Sequence, residues 1–127
     1  MKMKAVSGIV HYVKDIKKTA KFYEALGFKI EINKPDHLSI RLNWFWMDFH
    51  PQGKEDKPDF QKEANLDHKG AGLFLYISVD NVDEFYQGII ARELKPSSEP
   101  KDWPWGNREF VIRDPDGYKL VFFKRLR

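Results

Sequence analysis

Cysteine is missing from this chain altogether, which removes disulfides, thiolate nucleophiles and cysteine-ligated metals from consideration. No apolar run comes near the roughly 20 residues that a membrane span needs, so no membrane partner is expected. The opening MKMKAVSG lacks the apolar stretch of a secretory signal. These absences lead to the expectation of a cytoplasmic protein. Glycine and proline are modest, eight and seven among 127 residues, and no glycine run of the kind that cradles phosphate is present. Charge of one sign is scarce as well. The 22 lysines and arginines exceed the 19 acidic residues by three, and part of the excess sits in Lys2, Lys4, Lys124, Arg125 and Arg127 at the ends. With neither a basic stripe nor a reading motif, no nucleic-acid partner is expected.

What is present is patterned. Apolar residues make up 42% of the chain, and the length suits one domain with its own core. Residues 5–13 read as a strand. Asp15 then caps a helix in which Ile16, Ala20, Tyr23 and Leu26 recur on one face, and Gly27 suits its C-terminal cap. Strands follow at 28–32, 38–42 and 44–50, with a turn at 33–37. The pattern lapses over a charged loop, 51–70, and resumes with a strand at 71–79. A second helix spans 82–92, with Val82, Phe85, Ile89 and Ile90 facing inward. A short edge strand, a proline-rich loop at 96–106 and strands at 107–113 and 118–124 complete the chain. The halves echo each other: VKDI (13–16) and VDNV (79–82) both lead into helices, and KPDHLSIRL (34–42) resembles DPDGYKLVF (114–122). Each half reads strand–helix–strand–strand–strand, a unit that cannot bury its sheet faces alone. Gly106 and Gly117 are explained by turn geometry.

Three stretches carry a resemblance: HYVKDIKKTAKFYEALGF (11–28), LYISVDNVDEFY (75–86) and PWGNREFVIRDPDGYKLVFF (104–123). They are similar to the vicinal oxygen chelate superfamily of glyoxalases, extradiol dioxygenases and bleomycin-resistance proteins, and the last of them points to the bleomycin-resistance-like branch. The resemblance implies an α+β fold, a single domain over 1–127. Its two tandem β-α-β-β-β modules, about 1–50 and 70–127, would form a curled, partly open, eight-stranded barrel-like sheet with a cleft. It also implies a homodimer, with elements exchanged between subunits in some members. The resistance proteins hold a drug at the dimer interface without chemistry, whereas the enzymes seat a divalent metal in the cleft. Matched onto this chain, the metal-ligand positions hold Gly8, Phe74, Trp46 and Val121, none of which offers an oxygen or imidazole donor. No metal cofactor is therefore expected, and the reading leans away from an enzyme.

Strand parity from those positions selects a cleft wall. Together with the loop aromatics it nominates Trp44, Trp46, Asp48, Phe60, Phe74, Tyr76, Trp103, Glu109 and Arg113 as ligand contacts, a mixture suited to a ligand that stacks and hydrogen-bonds. Alternatives stay open: Asp48 and Glu109 could balance Arg113 or Lys119, and the tryptophans could plug the barrel. Trp103 is read as a ligand contact and Trp105 as interface or core packing. Of the histidines, His11 turns to the opposite face, His37 falls in a turn and His68 in the charged loop. The leading function is a metal-free protein sequestering an aromatic or polar small molecule at a dimer interface, as in antibiotic resistance, although a net +3 suits a cationic drug poorly. The runner-up is a metal-dependent isomerase, lyase or dioxygenase with a relocated site built from His50, Asp48 and Glu109. An interaction scaffold is the third reading.

Overall fold

Asp15 opens the first helix, α1 (Ile16–Ala25), by accepting the backbone N–H groups of Lys17 and Lys18 at 2.9 and 3.2 Å. Those bonds satisfy two of the donors that every helix start leaves without an intrahelical partner. At the other end Gly27 passes through the left-handed region at φ 103°, and the N–H groups of Gly27 and Phe28 return to the carbonyls of Glu24 and Tyr23. Ile16, Ala20, Tyr23 and Leu26 are all buried, as their spacing predicts.

The computed structural model describes residues 1–53 and 58–127, and the chain divides into two compact units, Met1–Asp67 and His68–Arg127. The first unit places α1 against a sheet of β1 (Gly8–Val13), β2 (Lys29–Lys34), β3 (His37–Leu42) and β4 (Phe45–Pro51), in the order β1-β4-β3-β2. β1 runs parallel to β4, and the other pairs are antiparallel. Alternation along the strands turns Leu38, Ile40, Met47 and Phe49 into the buried layer with Tyr23, whose ring lies 4.8 Å from that of Phe49. A 3-10 turn (Pro58–Phe60) and a short helix, α2 (Gln61–Ala64), close the unit. Residues 54–57 of the expected charged loop lie outside the described residues.

The second unit repeats the plan with β5 (Phe74–Ser78), α3 (Val82–Ala91), β6 (Lys101–Asp102), β7 (Asn107–Arg113) and β8 (Lys119–Arg125), in the order β5-β8-β7-β6. Its buried layer is Ile77, Phe110, Ile112, Leu120 and Phe122, with the Phe85 ring of α3 tilted against Phe122 at 4.5 Å. Each such fully buried side chain contributes about 1.5–3 kcal/mol. Asn81 caps α3 by accepting the Glu84 N–H at 3.0 Å, as Asp15 does for α1. The exit is the same motif too, with Glu93 and Leu94 bonded back to Ile90 and Ile89. Here the left-handed position belongs to Glu93, at φ 65°, rather than to a glycine. Arg108 on β7 ties the unit together, donating to Asp83 in the first turn of α3 and to Asp102 on β6 at 2.8–3.0 Å. Those bonds hold the Asp83 carboxyl below its ordinary pKa.

The chain is thus α+β, two β-α-β-β-β modules with, among the described residues, eight strands in two mixed four-stranded sheets. Several details differ from the sequence reading. β1 begins at Gly8, three residues later than read, and Trp44 is not in a strand. Asn43 and Trp44 form a two-residue turn between β3 and β4, possible because asparagine accepts φ 56°. Ile90 is exposed, because the buried stripe of α3 runs through Val82 and Ile89. The edge strand lies inside the proline-rich segment rather than before it: β6 pairs Lys101 and Asp102 with Glu109 and Arg108. The Pro-Asp echo is out of step, since Pro35-Asp36 joins the second and third strands of its module and Pro115-Asp116 joins the third and fourth. Among the described residues, no helix is long and apolar enough to cross a membrane.

Candidate functional site

The tight turn at Asn43-Trp44 fixes everything on the β3–β4 hairpin. Leu42 faces Phe45, Arg41 faces Trp46 and Ser39 faces Asp48. Continuing the count brings His37 opposite His50, and the two imidazoles stack with centroids 5.1 Å apart and planes 15° apart. Asp48 sits one pleat away on the same face. Its Oδ2 lies 2.8 Å from His37 Nε2, and its Oδ1 accepts the Ser39 hydroxyl at 2.6 Å. On the other side, the parallel β1–β4 register sets Tyr12 beside His50, with ring centroids 5.9 Å apart. One donor atom from each of His37, Asp48 and His50 falls within 4.8 Å of the others. The sequence reading put His37 in a turn and joined Glu109 to His50 and Asp48. Instead His37 opens β3 and joins His50 and Asp48. The signal was there to read: His37 and His50 are equidistant from the two turn residues.

Further along the same face, β1 and β4 bring Gly8 opposite Trp46. The indole lies directly over the glycine, and a Cβ built on Gly8 would run into its ring. In the second unit the parallel register pairs Phe74 with Lys119 and Tyr76 with Val121. The Lys119 ammonium rests 4.2 Å above the Phe74 ring and donates to the Ala71 carbonyl at 3.0 Å. Val121 is buried. The positions Gly8, Trp46, Phe74 and Val121 therefore do not fit a metal ion. Counting by register in place of Val121 gives Lys119, whose ammonium has no free electron pair either.

His11 takes the opposite face of β1, as parity predicts. It is buried and stacked 4.9 Å from Phe49, and burial pulls its pKa down to about 4 against the opposing pull of its bond to the Asp48 backbone.

Glu109 is the centre of the second unit's polar face. It is only 5% exposed, and its carboxylate accepts three hydrogen bonds: from the Tyr76 hydroxyl at 3.2 Å, Trp105 Nε1 at 3.1 Å and Asn107 Nδ2 at 3.2 Å. All three donors are neutral. Among the described residues no cation lies in salt-bridge range of it, and Arg113 is instead committed to the Gly117 carbonyl at 3.1 Å. Burial first, and the adjoining carboxylate second, push the Tyr76 phenol above its ordinary pKa. Beside Glu109 the aromatic rings stay open, with Tyr76 45% and Trp105 56% exposed, while Phe74, 53% exposed, lies toward the other end of β5 opposite Lys119. Trp105 stacks on Trp103 at 4.7 Å with planes 11° apart, and the Lys101 ammonium covers the Trp103 ring at 4.3 Å. Trp105, read from sequence as interface or core packing, is the outer ring of the pair in the single chain. Trp103 is half-buried, Trp44 stands 69% exposed on its turn, and Phe60 is exposed at the start of α2.

Residues 6–122 match the profile of the Glyoxalase/Bleomycin resistance protein/Dioxygenase superfamily. The chain belongs to this superfamily. Among relatives of the superfamily, a bleomycin resistance protein from Geobacillus stearothermophilus is 28% identical over 123 residues, covering 91% of this chain and 92% of that protein. A superfamily crystal structure from Nocardioides superposes with a TM-score of 0.79 at 15% identity, over 100% of this chain and 87% of that one. A protein from the mobile metagenome of V. Pseudocholerae gives 0.75 at 23% identity, over 97% and 95%. At such identities these structures speak to the fold, and the superfamily supports resistance-protein-like and enzymatic functions alike.

Proposed function

We propose that this chain is a small-molecule-binding protein acting in the manner of bleomycin resistance proteins, gripping its ligand without a metal at the superfamily's ligand positions. The observation that carries the reading is Glu109. A buried carboxylate served only by neutral donors keeps an uncompensated negative charge, and a cationic or N–H-bearing ligand is its natural complement. The open rings of Tyr76 and Trp105 beside it supply a stacking surface for a planar group. A formal charge of +3 gives no long-range attraction for a cation, so on this reading capture depends on the local carboxylate and rings. The single domain acts in the cytoplasm as a homodimer. Its dimer interface would use apolar side chains left exposed in each unit, among them Val10, Leu42 and Trp44 in the first and Phe74 in the second.

The test is quenching of intrinsic tryptophan fluorescence, titrated separately with bleomycin and with the planar aromatic cation proflavine, alongside sedimentation equilibrium. Saturable quenching by at least one probe is expected, and Glu109→Gln should weaken it by about 10- to 100-fold, the worth of one charge-assisted hydrogen bond. Quenching by neither probe, or quenching indifferent to Glu109→Gln, overturns the reading.

A further inference from the structure

We propose that His37, Asp48 and His50 form a binding site for one divalent first-row transition-metal ion, displaced along the first sheet from the positions the superfamily's enzymes use. The register of a single hairpin creates it. His37 and His50 face each other across β3 and β4, Asp48 follows one pleat away, and the three donor atoms lie within 4.8 Å of one another. An ion with bonds of about 2.1 Å holds adjacent ligands about 3.0–3.4 Å apart and opposed ligands about 4.2 Å apart. His37 Nε2 and Asp48 Oδ2, at 2.8 Å, already stand close to the adjacent spacing. The third donor, within 4.8 Å of the others, has to approach by up to about 1.4 Å to reach the adjacent spacing, within reach of a side-chain rotation.

The chemistry of the donors selects the ion. Two imidazoles and one carboxylate suit zinc, nickel, cobalt or copper, whereas magnesium and calcium take all-oxygen shells. Ser39 provides the outer support such sites need, holding Asp48 Oδ1 at 2.6 Å so that Oδ2 stays turned toward His37. Both His37 and Asp48 are partly exposed, at 29% and 20%, so an ion can enter and still keep coordination positions open on the solvent side. On metal binding the hydrogen bond between His37 Nε2 and Asp48 Oδ2 gives way to two metal–ligand bonds. Every residue invoked lies in the first unit, so the proposal can fail while the Glu109 reading stands, and the reverse.

The experiment uses the tag-free full chain, stripped with EDTA and titrated calorimetrically with Zn²⁺, Ni²⁺, Co²⁺ and Mg²⁺, with elemental analysis after dialysis. One transition-metal ion per chain should be retained, and Mg²⁺ should not compete. His37→Gln, His50→Gln and Asp48→Asn should each weaken binding at least about 10-fold, and Ser39→Ala about 10-fold, while His68→Gln leaves it unchanged. Circular dichroism shows whether each variant folds. Independently of any variant, Zn²⁺ should shift the imidazole NMR signals of His37 and His50 in the native chain and leave those of His11 and His68 in place. Failure to retain an ion, retention that survives His50→Gln, or shifts confined to His68 would each overturn the assignment.

Discussion

Lowering the pH should weaken this protein through His11 before any carboxylate matters, and the size of the effect follows from its surroundings. The ring is 3% exposed, stacked on Phe49 and held neutral, with a pKa of about 4 against 6.5 for a free imidazole. The unfolded chain therefore takes up a proton at a pH where the folded chain refuses it. Stability from this residue is complete above about pH 6.5 and is lost as the pH falls toward 4, at up to about 1.4 kcal/mol per pH unit. Between about pH 7.5 and about pH 4.5 the loss comes to about 2.5 kcal/mol, a large share of a small domain's total. Urea unfolding at several pH values, comparing the native chain with His11→Phe, isolates the contribution. The phenyl ring preserves the stack on Phe49 but cannot titrate, so the stability difference between the two proteins should shift by about 2.5 kcal/mol over that range. Parallel pH dependences, or an NMR titration placing His11 near 6.5, would refute the reasoning.

Two further outcomes rest on backbone and packing. Gly8→Ala should destabilise by about 1–3 kcal/mol, because the added methyl meets the Trp46 indole, and Trp46→Ala should largely abolish that penalty in a thermal double-mutant cycle. The matched helix exits predict opposite signs: Glu93→Gly should raise stability by about 0.5–1 kcal/mol by relieving a left-handed glutamate, whereas Gly27→Ala should lower it by about 1–2 kcal/mol, both readable as shifts in urea midpoint.

Local signals in the sequence were enough for both helices and the repeated module. The four inward residues of α1 and the cap at Asp15 depend only on neighbours within a turn or two, which is why spacing revealed them. Neither spacing nor the superfamily resemblance supplied the pairing of each first strand with the fourth of its module, which joins segments far apart in the chain. The misreading of the first unit's site has one cause. Placing Trp44 in a strand hid the two-residue turn, and without that turn no register could be counted, so His37 and His50 went unjoined. In the second module, the Pro-Asp echo invited alignment of turns that occupy different places in the topology. The Glu109 cluster was half legible: parity selected Glu109 and Tyr76, but the bond from Trp105 depends on how the 103–106 turn folds back over β7, with the Trp103 N–H bonded to the Asn107 carbonyl. Ile90 failed for a simpler reason, since an apolar residue one step round from a buried stripe is often left in solvent.

The interlock of Gly8 with Trp46 constrains what this sheet can become. A histidine introduced at position 8 has nowhere to put its side chain until the indole is gone, and removing the indole first leaves a bare hollow above a residue with no atoms to fill it. Either order passes through a weakened intermediate, so a chain that has settled into this pairing is held there by mutual dependence. Passage between a gripping sheet and a metal-bearing one at this spot requires two changes made together, or a stability reserve large enough to survive the first alone.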